Sequence, residues 1–212
     1  MKIIKIDNSD IREALREASL VLDAGGIVCF PTETFYGLGV KYNDRSAHER
    51  LFALKRRARD KALPLIAGGT DALKCIVGHI SDIEALLIRR FWPGPLTLLM
   101  PAHPDLPYFI TAGRPGRIAV RIPGTSFGLE LAKSLSFPIT ATSANRSGMP
   151  AADNPDDVMR YFDHTLDLMI DGGKTPGGLS STIVEVRDGK VVIVRPGAIS
   201  REEIKGVAGL SG

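Results

Sequence analysis

The chain alternates short apolar runs with amphipathic stretches, and few folds accept that alternation. Residues 27–30, 63–66, 96–100, 117–122, 138–142 and 168–170 have the length and apolar content of buried strands. Segments with helical spacing lie between them. The first is capped by Ser9, carries Ile11, Leu15, Ala18 and Leu22 on one face and closes at Gly25-Gly26. Others are expected at 46–55, 71–76, 82–91, 127–135 and 155–162. Strands at 181–186 and 190–195 meet at Asp188-Gly189, a dipeptide suited to a two-residue hairpin loop, so the sheet is not purely parallel. The expected fold is α/β: a single domain over residues 1–212, built on a twisted mixed β-sheet flanked by helices.

Several of the expected strands run straight into polar, Gly/Pro-rich segments. Residues 27–30 enter Pro31-Thr32-Glu33-Thr34, 118–122 enter Pro123-Gly124-Thr125, and 139–142 enter Ser143-Ala144-Asn145-Arg146-Ser147-Gly148. Ligands of open α/β sheets collect at the carboxyl ends of strands, where loops offer side chains and free backbone amides. These loops are therefore expected to converge on one cleft. Thr and Glu side chains of the first suit the ammonium or hydroxyl of a small polar substrate. The two hydroxyls and the amide of the third suit phosphate or ribose. Each segment taken alone also reads as ordinary turn chemistry.

The densest charge is Lys55-Arg56-Arg57-Ala58-Arg59-Asp60-Lys61, just past an expected helix end. A helix dipole accounts for one or two C-terminal cations at about 0.3–1 kcal/mol each, but not readily for five. Forked guanidinium donors and mobile ammonium groups suit a triphosphate or an RNA backbone, and a solvated face remains the alternative. Because the net charge is only +3, phosphate affinity must come from such local clusters.

Other chemistries find little support. Gly173-Lys174-Thr175 lacks the first glycine of a Walker loop, where Leu168 stands, and His48, His79, His103 and His164 have no mutual metal-ligand spacing. Cys29 and Cys75 show no CxxC spacing and are expected as two buried free thiols in a reducing compartment. No run approaches the roughly 20 apolar residues of a membrane span, and the N-terminal six residues are too charged for a secretory core. A cytoplasmic protein is expected.

In order along the chain, Pro31-Thr32-Glu33-Thr34-Phe35-Tyr36-Gly37-Leu38-Gly39, the Lys55/Arg57 pair, Pro93-Gly94-Pro95-Leu96-Thr97, Val120-Arg121-Ile122-Pro123, Ser143-Ala144-Asn145, Ser181-Thr182-Ile183-Val184 and Arg195-Pro196-Gly197 resemble the YrdC family in its short, single-domain form. The resemblance implies a concave, positively charged cleft and a synthase reaction. L-threonine and bicarbonate form a carbamate, which attacks the α-phosphate of ATP, giving threonylcarbamoyl-AMP and pyrophosphate for tRNA modification. It implies that Thr32, Thr34, Arg121 and Ser181 hold threonine. Lys55, Arg57, Lys61, Arg117, Ser143, Asn145 and Arg195 would surround ATP, with Lys55, Arg57, Ser143 and Asn145 as the catalytic set. Mg²⁺ is expected with ATP, held mainly by phosphates, and a threonylcarbamoyl transferase is the expected downstream partner. Members often carry Arg-Pro, Asn-Pro and a strand-ending His where this chain has Arg57-Ala58, Lys61-Ala62 and Ile66. An RNA-binding module that grips phosphates without nucleotidyl transfer is the competing reading.

Overall fold

The structure, a computed structural model, describes residues 1–6, 11–58, 63–111 and 114–207. In chain order the elements are β1 (Lys2–Lys5), α1 (Arg12–Asp23), β2 (Val28–Pro31), β3 (Tyr36–Gly39), α2 (Arg45–Lys55), β4 (Leu65–Ile66), α3 (Asp82–Phe91), β5 (Leu96–Pro101), β6 (Arg117–Arg121), α4 (Phe127–Ser134), β7 (Ile139–Thr140), β8 (Thr142–Ser143), α5 (Pro155–Phe162), β9 (Leu168–Asp171), β10 (Thr182–Arg187), β11 (Lys190–Arg195) and α6 (Arg201–Lys205). Short 3₁₀ turns occupy Thr70–Cys75, Tyr108–Ile110 and Asp163–Thr165.

Local chemistry explains many boundaries. Ser81 and Glu84 form a reciprocal capping box that starts α3, while Asn154 caps α5 with Pro155 in its first turn. Ser9 lies outside the described residues, and α1 buries Ala14, Ala18 and Leu22, spaced by four. Asp188 and Gly189 both take positive φ, 51° and 71°, and so turn β10 back on β11 as the dipeptide predicts.

The mixed α/β class holds, and the strands form two mixed sheets. The first has the order β1-β9-β2-β3-β8 and the second β11-β10-β5-β6-β4-β7. Two features of the chain cause the division. The loop expected to lead from residue 31 toward a helix instead folds back as β3, antiparallel to β2. The run expected as one strand at 138–142 splits at Ala141, so that β7 pairs with β4 in one sheet and β8 with β3 in the other. Gly39 permits the first of these. A Cβ there would lie 2.8 Å from the Phe30 ring and 2.9 Å from the Thr140 carbonyl oxygen.

The first sheet is covered on both faces. Val28, Phe30, Leu168 and Ile170 pack with α1 and α4, while Cys29, Tyr36, Leu38 and Met169 pack with α2 and α5. The second sheet is covered on one face, where Leu96, Leu98, Met100, Val120 and Val184 meet α3 and α6. Successive strand residues point to opposite faces, so Thr97, Leu99, Ala119, Arg121 and Ile183 are left on the other face. Cys29 is a buried free thiol as expected; Cys75, expected to be buried, is exposed because the 3₁₀ turn that carries it buries Leu73 instead.

Candidate active site

The uncovered face of the second sheet is the floor of a cavity of about 390 Å³. Thr97, Leu99, Ala119, Arg121 and Ile183 form that floor, and the β2–β3 turn supplies Thr32, Thr34 and Phe35 as one wall. Ala141, Thr142 and Ser143, where the chain crosses between the sheets, form another; Ser180, Ser181, Val194 and Arg195 close a third side. Arg57 and Arg114 reach in from loops. Among the described residues, four guanidinium groups thus line one cavity and no Asp or Glu does.

Arg121, which is 8% exposed, has Nη1 3.1 Å from Glu33 Oε1, and its guanidinium hydrogen-bonds to no described residue. Burial lowers its pKa from the ordinary guanidinium value, and Glu33 opposes that shift. Arg195 is lowered too, first by burial and then by repulsion from Arg121, so the two charges sense one another across the floor. Arg195 Nη2 donates to the Ser181 carbonyl at 2.7 Å and to Ser181 Oγ at 3.3 Å, and Ser181 Oγ lies 2.8 Å from Thr97 Oγ1. On the opposite wall, Thr32 Oγ1 donates to the Phe35 carbonyl at 2.7 Å and accepts from the Thr34 amide at 3.2 Å, which sets the turn that presents both hydroxyls.

Lys55 is placed differently from the expectation that it touches ATP. It is 2% exposed, does not line the cavity, and its ammonium donates to the Ser143 carbonyl, to the Asn145 carbonyl at 2.9 Å and to Asn145 Oδ1 at 3.2 Å. A lysine has three donors, and all are engaged. Asn145 is also set back: its Oδ1 accepts from Ser143 Oγ at 2.7 Å and its amide donates to the Met149 carbonyl. Burial, and after it the Arg57 charge, brings the Lys55 pKa down to about 7. Its physical role here is to clamp the loop that carries Ser143.

Of the residues expected at the site, Thr32, Thr34, Arg57, Arg121, Ser143, Ser181 and Arg195 meet at the cavity. Arg117 does not. It stands on the same face of β6 as Ala119, one side-chain repeat farther on, with Nε 3.5 Å from Oε1 of the buried Glu185, which also pairs with Arg187 at 2.6 Å. Lys61 lies outside the described residues. Thr97 and Arg114 had not been expected at the site. Their signals were faint: one polar residue inside an apolar strand, and one arginine among turn-forming residues just before another strand.

The model of the family Sua5_yciO_yrdC, described as "Telomere recombination", matches residues 20–197. A threonylcarbamoyl-AMP synthase of Pyrococcus abyssi is 37% identical over 205 residues, covering 94% of this chain and 60% of the relative. One from Cellvibrio japonicus is 33% identical, covering 81% of this chain and 88% of the relative. The crystal structure of P. abyssi Sua5 complexed with L-threonine superposes with a TM-score of 0.93 at 35% identity, covering 99% of this chain and 61% of that one. The chain therefore spans less than two thirds of the length of the P. abyssi protein.

Proposed function

The chain belongs to the Sua5/YciO/YrdC family, and we propose that it makes threonylcarbamoyl-AMP from L-threonine, bicarbonate and ATP. The observation that carries this reading is a cavity that four guanidinium groups and no carboxylate line among the described residues. Such a site suits substrates that bring a carboxylate and a triphosphate together, and forked guanidinium donors stabilise developing negative charge, most strongly at the buried Arg121.

In this mechanism Arg121 pairs with the threonine carboxylate, with Thr32, Thr34 and Ser181 offering hydroxyls to the rest of the amino acid. The amine attacks bicarbonate carbon and water leaves, giving a carbamate. A carbamate oxygen then attacks the α-phosphorus of ATP as the bond to pyrophosphate breaks. Arg57 and Arg195 would neutralise charge on the phosphates, Ser143 would accept from a ribose hydroxyl or, on releasing Asn145 Oδ1, donate to a phosphate oxygen, and Lys55 and Asn145 would keep Ser143 in place. Arg117 would reach the nucleotide only by releasing Glu185. Catalysis rests on positioning and charge stabilisation, without a covalent enzyme intermediate.

Mg²⁺ would arrive with ATP. Among the described residues no group of three His, Cys, Asp or Glu side chains could hold a metal ion, so its ligands would be phosphate oxygens and water, and it would draw charge off the phosphates. The product would pass to a threonylcarbamoyl transferase acting on tRNA. Two free cysteines support a reducing, cytoplasmic setting, and among the described residues no helix is long and apolar enough to cross a membrane. Mass spectrometry of the purified protein with ATP, threonine and bicarbonate should detect threonylcarbamoyl-AMP, with pyrophosphate released only when all three are present. Absence of the adenylate, together with steeply salt-dependent RNA binding, would support the RNA-binding module instead.

A further inference from the structure

Glu33 stands between the cavity-lining Thr32 and Thr34 but is not itself part of the lining. Its side chain turns toward Gly124, where a Cβ would fall 3.0 Å from Glu33 Cγ; the glycine makes room for the carboxylate arm. Both carboxylate oxygens are buried, and neither has a hydrogen-bond partner among the described residues. An isolated carboxylate in such a place is strongly disfavoured, so a nearby positive charge must offset its desolvation.

That charge is Arg121, with Nη1 3.1 Å from Oε1 in an ion pair that lacks hydrogen-bond geometry. The attraction therefore restrains the guanidinium without taking its N–H groups, which hydrogen-bond to no other described residue. Arg195 lines the same cavity, so Arg121 shares that space with a like charge. Without the carboxylate, Arg121 would be a buried cation facing a like charge, free to swing away.

We propose that Glu33 is a positioning residue, holding the Arg121 guanidinium at the cavity floor by charge while leaving its donors for a substrate carboxylate. The proposal rests on the reading of threonine as the substrate. It predicts that Glu33 governs recognition of the carboxylate and not of the remainder of the amino acid.

The test compares binding of L-threonine with that of L-threoninol, which lacks the carboxylate, by titration calorimetry in the presence of ATP. In Glu33→Gln the Kd for threonine should rise at least tenfold while that for threoninol moves less than twofold. In an Arg121→Gln background the same Glu33 change should have no further effect on threonine. Equal weakening of both ligands, or a full Glu33→Gln effect without Arg121, would overturn the proposal. Should Glu33→Gln not fold, Glu33→Asp, with the charge kept but withdrawn by one methylene, carries the same comparison with a smaller expected loss. Native protein that binds threonine no better than threoninol would overturn the substrate reading and the Glu33 role with it. Discrimination kept by the native protein and by both Glu33 variants would overturn the Glu33 role alone.

Discussion

Acidification should destabilise the fold through His48. This residue lies on α2, the helix leading to Lys55 and Arg57, and its ring meets Phe109 edge-on with centroids 5.0 Å apart. It is 3% exposed, and neither ring nitrogen has a hydrogen-bond partner among the described residues. Burial lowers its pKa from 6.5 to about 4; the Tyr42 backbone and the Asp44 charge oppose the shift without reversing it. The unfolded chain therefore takes up a proton as pH falls through 6.5, whereas the folded chain resists until about 4. Stability from this group is complete above 6.5 and is lost on descending toward 4. The slope approaches about 1.4 kcal/mol per pH unit, which integrates to a loss of about 2 kcal/mol between pH 8 and pH 5. Urea unfolding of the native protein and of His48→Leu at those two pH values isolates the contribution, since other acid-sensitive groups act on both proteins. The variant should lose about 2 kcal/mol less than the native protein. Equal losses would refute the argument that a neutral buried imidazole sets this slope.

Other perturbations address the site directly. Arg121→Lys keeps the charge but loses the fork, so the KM for threonine should rise about 10- to 100-fold with kcat less affected, as steady-state pyrophosphate release would record. Lys55→Met leaves the Ser143 and Asn145 carbonyls without their cation. It should cost about 2–4 kcal/mol in urea unfolding and weaken ATP more than threonine in calorimetry. In Gly197→Ala the new Cβ would lie 2.2 Å from the Ser180 carbonyl oxygen and 2.5 Å from the Thr182 amide nitrogen. Backbone atoms cannot rotate aside, so thermal unfolding should show a loss of about 1–3 kcal/mol, with the affinities that depend on Ser181 and Arg195 reduced as well. Cys75 is exposed, while Cys29 is buried and its thiol is pushed well above the usual range. Iodoacetamide should therefore label Cys75 in the native protein and Cys29 only after denaturation, as peptide mass mapping would reveal.

Helices α3 and α5 occupy residues 82–91 and 155–162, the spans expected from helical spacing, because periodicity involves residues only a few positions apart. Strand β3 escaped notice because Gly37 and Gly39 interrupt its apolar alternation, and their reason is contact with Phe30 on the neighbouring strand. The strand expected at 138–142 was divided for a similarly distant reason: β4 and β3, which compete for it, belong to different sheets.

What the sequence determined by itself was the α/β class, most of the elements and the residue types at the cavity, since these follow from periodicity and from motifs contiguous along the chain. Tertiary structure decided which of those side chains share a space. Lys55 and Arg57 are two positions apart, yet one is buried behind Ser143 while the other lines the cavity. Glu33 and Arg121 are 88 positions apart and form an ion pair. Burial and charge pairing depend on through-space distance, which only the folded chain sets.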